Sequence, residues 1–107
     1  MKLLTKALLA EFKKQGYCDG KDPKEVKIIA KFFNPSGIGT WYATEYDPKE
    51  RMFFGFVSLF NDFCDELGYF SLDELESIKC PPFGLGIERD LHFGTHYLVE
   101  VLEGERP

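Results

Sequence analysis

The sequence predicts an α+β fold, in which an antiparallel sheet of about four strands carries an N-terminal helix and one or two short C-terminal helices. Its 107 residues suit a single domain with one core, spanning residues 1–107. Runs rich in aromatic and β-branched residues alternate with turn-forming Asn, Asp, Pro and Gly, which is typical of an antiparallel meander. Apolar residues at helical spacing flank these runs, so we expect the helices to pack on one face of the sheet.

The first two predicted elements are a helix over residues 6–15 and a strand over residues 26–33. Thr5 is a favourable N-cap and Gly16 a natural stop for the helix, whose apolar residues recur at helical spacing. Residues 17–24 are rich in turn formers and separate the helix from the strand. The strand is predicted because apolar residues alternate along it.

A hairpin and a short fourth strand follow. Residues 39–47 are aromatic and β-branched, and they precede Asp47-Pro48-Lys49-Glu50, which places proline at the second position of a type I turn. Met52–Phe60 is therefore predicted to pair with the preceding strand. Gly68–Phe70 is a short strand candidate, whereas the acidic residues 61–67 show no regular period.

The C-terminal third contains two short predicted helices around a short strand at residues 87–93. Ser71 and Glu74 form a capping-box pattern for a helix over 72–79, which Pro81-Pro82 ends. Thr95 is a candidate cap for a last helix that Gly104 closes. The alternation of Tyr97, Val99 and Val101 also fits a strand there, and we favour the helix.

Charge and cysteine content bound the location and the partners. The net charge is −5, from 18 acidic and 13 basic residues, and this acidity argues against direct binding to nucleic acid. Residues 1–51 hold 10 basic and 7 acidic residues, whereas residues 52–107 hold 3 and 11, so the fold could separate a basic from an acidic face. No apolar run is long enough for a membrane helix, no secretory signal is evident, and the three cysteines form no CxxC pair. We therefore predict a cytoplasmic protein.

Motifs of catalysis and cofactor binding are absent from the sequence. It contains no GxSxG, no P-loop, no full GxGxxG and no HExxH, so we predict no catalytic residues and no cofactor. His92 and His96, with Glu88 or Cys80, could hold zinc if one helix carried both histidines, but Gly94-Thr95 interrupts such a helix, so we predict no metal site.

Two pairs of carboxylates have strand spacing. Glu88 and Asp90 flank Arg89, and Glu45 and Asp47 have the same i, i+2 separation, which places each pair on one side of a strand. If the two pairs converged, they could bind Mg²⁺ and support hydrolysis. Otherwise they are solvated surface groups.

Aromatic residues in the central strands are the most distinctive feature. Trp41 and Tyr42 are neighbours and must face opposite ways in a strand, so we expect one of them outside the main core. If the helices cover one face, the other face carries exposed aromatic residues of the central strands, which form a candidate binding surface. The alternative, in which helices cover both faces, is equally open.

Residues 62–76 carry six acidic side chains and no basic one. On a helix Asp73 and Glu76 lie one turn apart, and with Asp62 or Asp65 they could form an anionic ridge. Such a ridge could occupy the channel in which a partner protein binds nucleic acid. The competing interpretation is an ordinary solvated helix.

Three motifs carry a resemblance to a known family. Trp41–Asp47 (WYATEYD), Glu66–Leu75 (ELGYFSLDEL) and Gly84–Phe93 (GLGIERDLHF), together with Phe54-Gly55, resemble a family of bacterial proteins of about 100 residues and unknown function. The resemblance implies an accessory role on plasmids, phages and conjugative elements, and it transfers no activity. Residues 61–66 and 97–107 depart from the family pattern.

These observations favour a non-enzymatic module that binds a protein partner, with the oligomeric state left open. The alternatives are an acidic inhibitor of a host defence system that binds nucleic acid and, less favoured, a metal-dependent hydrolase. The candidate binding residues are Trp41, Tyr42, Glu45, Asp47, Tyr69, Asp73, Glu76, Glu88, Arg89 and Asp90.

Overall fold

The computed structural model describes residues 2–59 and 65–107, which build a five-stranded antiparallel sheet with three helices. The strand order is β4-β3-β2-β1-β5. In chain order the elements are α1 (Lys6–Gln15), β1 (Ala30–Phe33), β2 (Thr40–Asp47), β3 (Met52–Ser58), β4 (Glu66–Ser71), α2 (Leu72–Ser77), β5 (Glu88–Arg89) and α3 (Leu98–Leu102). The predicted α+β class is confirmed, and the short β5 adds a fifth strand at the β1 edge.

Local signals placed α1 correctly. The Thr5 hydroxyl accepts a hydrogen bond from the Leu8 N–H at 3.2 Å, and Gly16 ends the helix with φ of 65°. A left-handed φ suits glycine because it has no Cβ to clash. The helix buries Phe12 against the sheet.

β1 is shorter than the strand predicted over residues 26–33. Its ladder with β2 covers only Ala30–Phe33, and residues 26–28 pair with the segment that leads into α3. The Ile28 N–H donates to the His96 carbonyl and the Leu98 N–H to the Val26 carbonyl, both at 2.8 Å. The alternating burial of Val26 and Ile28 is real, but it comes from packing beneath α3.

A β-bulge interrupts the pairing of β2 with β3. The register shifts between Ala43 and Glu45, so the side chains of β2 change their alternation at Thr44. Trp41 and Ala43 face the same side as Tyr46, which an unbroken alternation would place on the other side. Tyr46 consequently packs on Phe53, with ring centroids 4.8 Å apart.

Each face of the sheet carries its own apolar cluster. The first face, marked by Trp41 and Phe53, packs against α1 and α2, and the second face, marked by Tyr42 and Phe56, packs against α3. The expectation that all helices share one face is therefore wrong. β2 and β3 are apolar on both sides, and each side needs a covering layer.

The C-terminal segment closes part of the second face. Residues 98–102 are helical, so the predicted helix rather than the alternative strand is present. The N-cap of α3 is Tyr97 rather than the predicted Thr95. Beyond it, the Arg106 guanidinium lies 4.9 Å from the Phe56 ring centroid, and the Tyr42 hydroxyl donates to the Pro107 carbonyl at 3.1 Å. Among the described residues, no helix is long and apolar enough to cross a membrane.

α2 confirms the predicted N-terminal cap but is shorter than expected. The Ser71 hydroxyl accepts from the Glu74 N–H at 3.2 Å. The helix ends at Ser77, because Ile78 is already extended.

Candidate functional site

A groove of about 640 Å³ runs along the end of the sheet that holds the β2–β3 turn. It is lined by α1, by the two residues after that helix, by the β2–β3 hairpin and by one side chain of β4. The lining residues are Leu9, Phe12, Lys13, Gly16, Tyr17, Glu45, Tyr46, Asp47, Pro48, Glu50, Met52, Phe54 and Tyr69.

The second face stays open here because α3 is short. Its two buried side chains, Leu98 and Val101, cluster with Tyr42 and Phe56. One row further along the strands, Phe54 is only partly buried. The Tyr69 side chain is 74% exposed, so an aromatic surface remains in contact with solvent.

Three strands contribute one continuous row of side chains to this surface. Glu45 of β2 lies directly opposite Phe54 of β3, which lies directly opposite Tyr69 of β4. Directly paired residues have Cβ atoms about 4.5–5.5 Å apart and point to the same face. The Phe54 and Tyr69 rings meet edge to face, with centroids 4.9 Å apart.

α1 and the residue after Gly16 supply the opposite wall. Tyr17 follows the turn at Gly16 and is 83% exposed. Gln15 fixes this end of α1 to the sheet, because its side-chain amide donates to the Lys27 and Thr44 carbonyls at 2.9 and 2.7 Å. The side-chain Oε1 of Gln15 accepts a hydrogen bond from the backbone N–H of Lys27 at 3.1 Å. The wall is therefore held at a defined place beside the β2 bulge.

The groove is negatively charged. Its lining holds the carboxylates of Glu45, Asp47 and Glu50 and one ammonium group, that of Lys13. Asp47 Oδ1 accepts from the backbone N–H groups of Lys49 and Glu50 and so caps the turn. Within residues 2–59 and 65–107, the Glu45 side chain forms no hydrogen bond or ion pair.

The pKa values of neighbouring groups reflect this environment. Burial and the nearby Glu45 carboxylate raise the pKa of the Cys18 thiol. Burial raises the pKa of the Tyr46 hydroxyl; the Arg51 charge opposes this shift, and the Asp73 and Asp47 carboxylates add smaller contributions to it. Both groups therefore stay protonated at neutral pH, and neither is an activated nucleophile.

Three of the predicted site residues line the groove together, and the other predicted residues do not line it. Glu45, Asp47 and Tyr69 all line the groove. Trp41 and Tyr42 are buried, in the first-face and second-face clusters respectively, so neither contributes to an exposed surface.

The acidic side chains of α2 form ion pairs with the β2–β3 turn. Arg51 Nη2 lies 2.8 Å from Asp73 Oδ1 and 3.5 Å from Glu76 Oε1. Asp65 is engaged by Arg106 at 3.0 Å, and Asp62 lies outside the described residues. The predicted anionic ridge is therefore partly neutralised.

The Glu88–Asp90 segment lies at the opposite edge of the sheet. Glu88 pairs with Phe33, which pairs with Thr40 at the far end of β2 from Asp47. Seven residues of strand correspond to roughly 20 Å, so the two carboxylate pairs do not converge. Arg89 also lies in this edge strand, and Asp90 pairs with Lys31 at 3.7 Å.

His96 has a partner within the chain. His96 Nδ1 lies 2.9 Å from Glu100 Oε1, and that hydrogen bond, with one from the Tyr97 N–H, lowers the pKa of the Glu100 carboxyl. In the described part of the chain, no group of three His, Cys, Asp or Glu side chains is arranged to hold a metal ion.

Ion pairs also connect the two differently charged halves of the sequence. Arg51 binds acidic residues of α2, and Lys31 binds Asp90. The fold thus mixes the charges in these places, and the negative charge of the groove comes from carboxylates of the more basic half.

Sequence reasoning missed the contribution of α1 to the groove. Leu9 and Lys13 look like an ordinary helix surface, and their place in the groove depends on how α1 packs. Tyr17 offered one signal, because an aromatic residue in a polar, turn-rich segment has no predicted core partner.

Fold and site together define a small α+β protein with an open, aromatic and acidic groove. The chain belongs to the family described as "Protein of unknown function (DUF2958)", whose model matches residues 2–102. This confirms the resemblance to a family of about 100 residues without known function. No curated protein and no solved structure matched the chain.

Proposed function

We propose that this protein is a non-enzymatic interaction module that binds a protein partner through the groove. The observation that carries the proposal is the partly exposed row of Glu45, Phe54 and Tyr69 beside the exposed Tyr17. Tyrosine supplies large contact area with few rotatable bonds, which is why it is enriched in protein interfaces.

The dimensions of the groove suit the insertion of side chains from a partner. Its volume of about 640 Å³ falls within the usual range for binding pockets, roughly 300–1,000 Å³. Two of the lining side chains, Phe12 and Tyr46, are fixed in place, because they pack on each other and on Phe53 of the first-face cluster with ring centroids 4.8–6.0 Å apart. Lining residues that are already ordered reduce the entropic cost of binding.

The chemistry of the groove supports binding over catalysis. Its thiol neighbour, Cys18, is protonated at neutral pH, and the carboxylates of Glu45 and Asp47 lie far from those of Glu88 and Asp90. The metal-dependent hydrolase hypothesis needs these carboxylates to converge. We further propose that binding takes place in the cytoplasm, in keeping with the free thiols of Cys18 and Cys80.

The acidic-inhibitor hypothesis has weaker support. It relies on the α2 carboxylates, and Arg51 offsets part of the charge of Asp73 and Glu76. Those side chains are still 65% and 47% exposed, so a basic partner could reach them. An inhibitor of this kind would crosslink from α2 in the experiment below.

Site-specific photocrosslinking tests the proposed function. Benzoylphenylalanine replaces Tyr69 in the groove or, as a matched control, Phe83, which is 79% exposed in a loop outside it. A third variant carries it at Glu74 on α2. After irradiation in the native cells, we expect a discrete protein adduct from position 69 and none from position 83. No adduct, or the same adducts from positions 69 and 83, contradicts the proposal, and adducts from position 74 alone favour the inhibitor.

A further inference from the structure

We propose that the groove recognises an arginine side chain of the partner, whose guanidinium stacks on the aromatic row and pairs with Glu45. This inference rests on the proposed function and names the chemistry that its site would bind. It is carried by three observations: the order of groups along the row, the charge of the groove, and a guanidinium already seated on the same face.

The row presents an acid and two aromatic rings side by side. Glu45, Phe54 and Tyr69 are direct neighbours across β2, β3 and β4. A planar guanidinium can stack on an aromatic face while its N–H groups reach a carboxylate at the ring edge. An ammonium group is compact and more strongly hydrated, so it gains less from the ring.

The carboxylate in the row is available for a ligand. Glu45 is half-buried, and its side chain has no hydrogen bond or ion pair within the described residues. Among the residues that line the groove, Asp47 and Glu50 add negative charge, and Lys13 supplies one ammonium group. Covering Glu45 with a purely apolar side chain would remove its hydration without giving it a partner, which is costly.

The neighbouring row of the same face already holds an arginine in this way. Arg106 lies 4.9 Å over the Phe56 ring and its Nη2 is 3.0 Å from Asp65 Oδ2. Phe56 and Phe54 are two residues apart on β3 and therefore face the same side. The row at Phe54 repeats the combination of a phenylalanine ring and a nearby carboxylate.

Peptide titration tests this inference directly. The ¹⁵N-labelled protein is titrated with acetyl-Leu-Arg-Leu-amide and with the same peptide carrying citrulline, which keeps the shape of arginine but lacks its charge. We expect the arginine peptide to shift the amide resonances of Glu45, Phe54 and Tyr69, with at least about tenfold weaker binding of the citrulline peptide. The same peptide with lysine in place of arginine should bind with an affinity between those of the arginine and citrulline peptides.

Two variants locate the interaction. Glu45→Gln should weaken binding of the arginine peptide to the level of the citrulline peptide. Glu103→Gln, at the exposed C-terminal end of α3, removes the same charge outside the groove and should leave the affinity unchanged. The amide spectrum of each free variant shows whether it remains folded.

The outcomes separate this inference from the proposed function. If the citrulline peptide binds as tightly as the arginine peptide, or if Glu45→Gln leaves the affinity for the arginine peptide unchanged, arginine recognition is overturned and the groove is an apolar docking site. No peptide binding, when position 69 still yields a protein adduct, overturns the inference alone. If light scattering shows a dimer and Tyr69→Ala disrupts that dimer, the groove binds a second copy of the chain, and arginine recognition is also overturned.

Discussion

Gly55 lies in β3 opposite the bulge of β2, and its replacement by alanine should force the two central strands apart. A Cβ atom at this position would lie 1.8 Å from the Tyr42 carbonyl oxygen and 2.8 Å from the Tyr42 carbonyl carbon. Both are backbone atoms, so no side-chain rotation relieves the clash. This contact explains why position 55 requires glycine.

The structure sets the size of the effect. Cβ contacts closer than 3.0 Å essentially do not occur, so the Tyr42 oxygen must retreat by about 1.2 Å from its 1.8 Å position. Overpacking of this kind costs about 1–3 kcal/mol, and each ladder hydrogen bond that breaks adds about 0.5–1.5 kcal/mol. We expect Gly55→Ala to lower the free energy of unfolding by about 3 kcal/mol or more. For a domain of this size that corresponds to a fall in Tm of at least about 12 °C.

Thermal and guanidinium denaturation followed by circular dichroism measure this difference, with Gly68→Ala as a matched control. Gly68 pairs directly with Gly55 from β4, and a Cβ there meets nothing within 4 Å. Neither glycine has a positive φ, so alanine brings no backbone strain at either position. We expect the control to change stability by less than about 1 kcal/mol, in the stabilising direction.

Equal stabilities of Gly55→Ala and Gly68→Ala would refute the argument, since the clash at the bulge is the main difference between the two sites. Insoluble Gly55→Ala protein alongside well-folded Gly68→Ala protein would agree with it.

Three further predictions concern the attachment of the helices. Gln15→Ala should lower the free energy of unfolding by about 1–3 kcal/mol, because two backbone carbonyls and one backbone N–H lose their hydrogen-bond partner. The control Lys14→Ala should change the free energy of unfolding by less than about 0.5 kcal/mol. Equal effects of the two substitutions in denaturant titrations would contradict this prediction. Ser71→Ala should lower the free energy of unfolding by about 1 kcal/mol, because α2 loses its N-terminal cap. Amide hydrogen exchange measures the change, and unchanged exchange rates in α2 would contradict the prediction. The lowered pKa of Glu100 implies stability that is present above its ordinary value of 4.5 and lost as the pH falls through the lower folded value. His96→Ala should move the Glu100 pKa back towards 4.5 in carboxyl ¹³C NMR titrations, and an unmoved titration would show that the His96 hydrogen bond is not the main cause.

Predictions from local sequence succeeded where neighbouring residues decide the structure. The Thr5 cap and the Gly16 stop gave α1 its bounds, and the proline turn after Asp47 gave the β2–β3 hairpin. The β1 prediction was too long, because alternating burial at Val26 and Ile28 arises from a helix about 70 residues further along the chain. Burial patterns report that a side chain is covered and do not report what covers it.

The candidate site was only partly accessible to the same reasoning. Glu45, Asp47 and Tyr69 are among the binding residues that the sequence predicts, and all three line the groove. Trp41 and Tyr42 are candidates because of their residue type, yet each is buried, because α1 and α2 cover one face and α3 the other. The wall that includes Tyr17 depends on the long-range bonds of Gln15, which no local pattern indicates.

The sequence by itself determined the α+β class, the order of the main elements and the family, because helix caps, turn residues and apolar periods act over a few neighbouring residues. The tertiary structure alone decided the bulge at Thr44, the distribution of helices over both faces and the convergence of Glu45, Phe54 and Tyr69. These features depend on strand register and on contacts between residues far apart in the chain. A one-residue shift in register moves side chains to the other face, so register determines which groups can meet a partner.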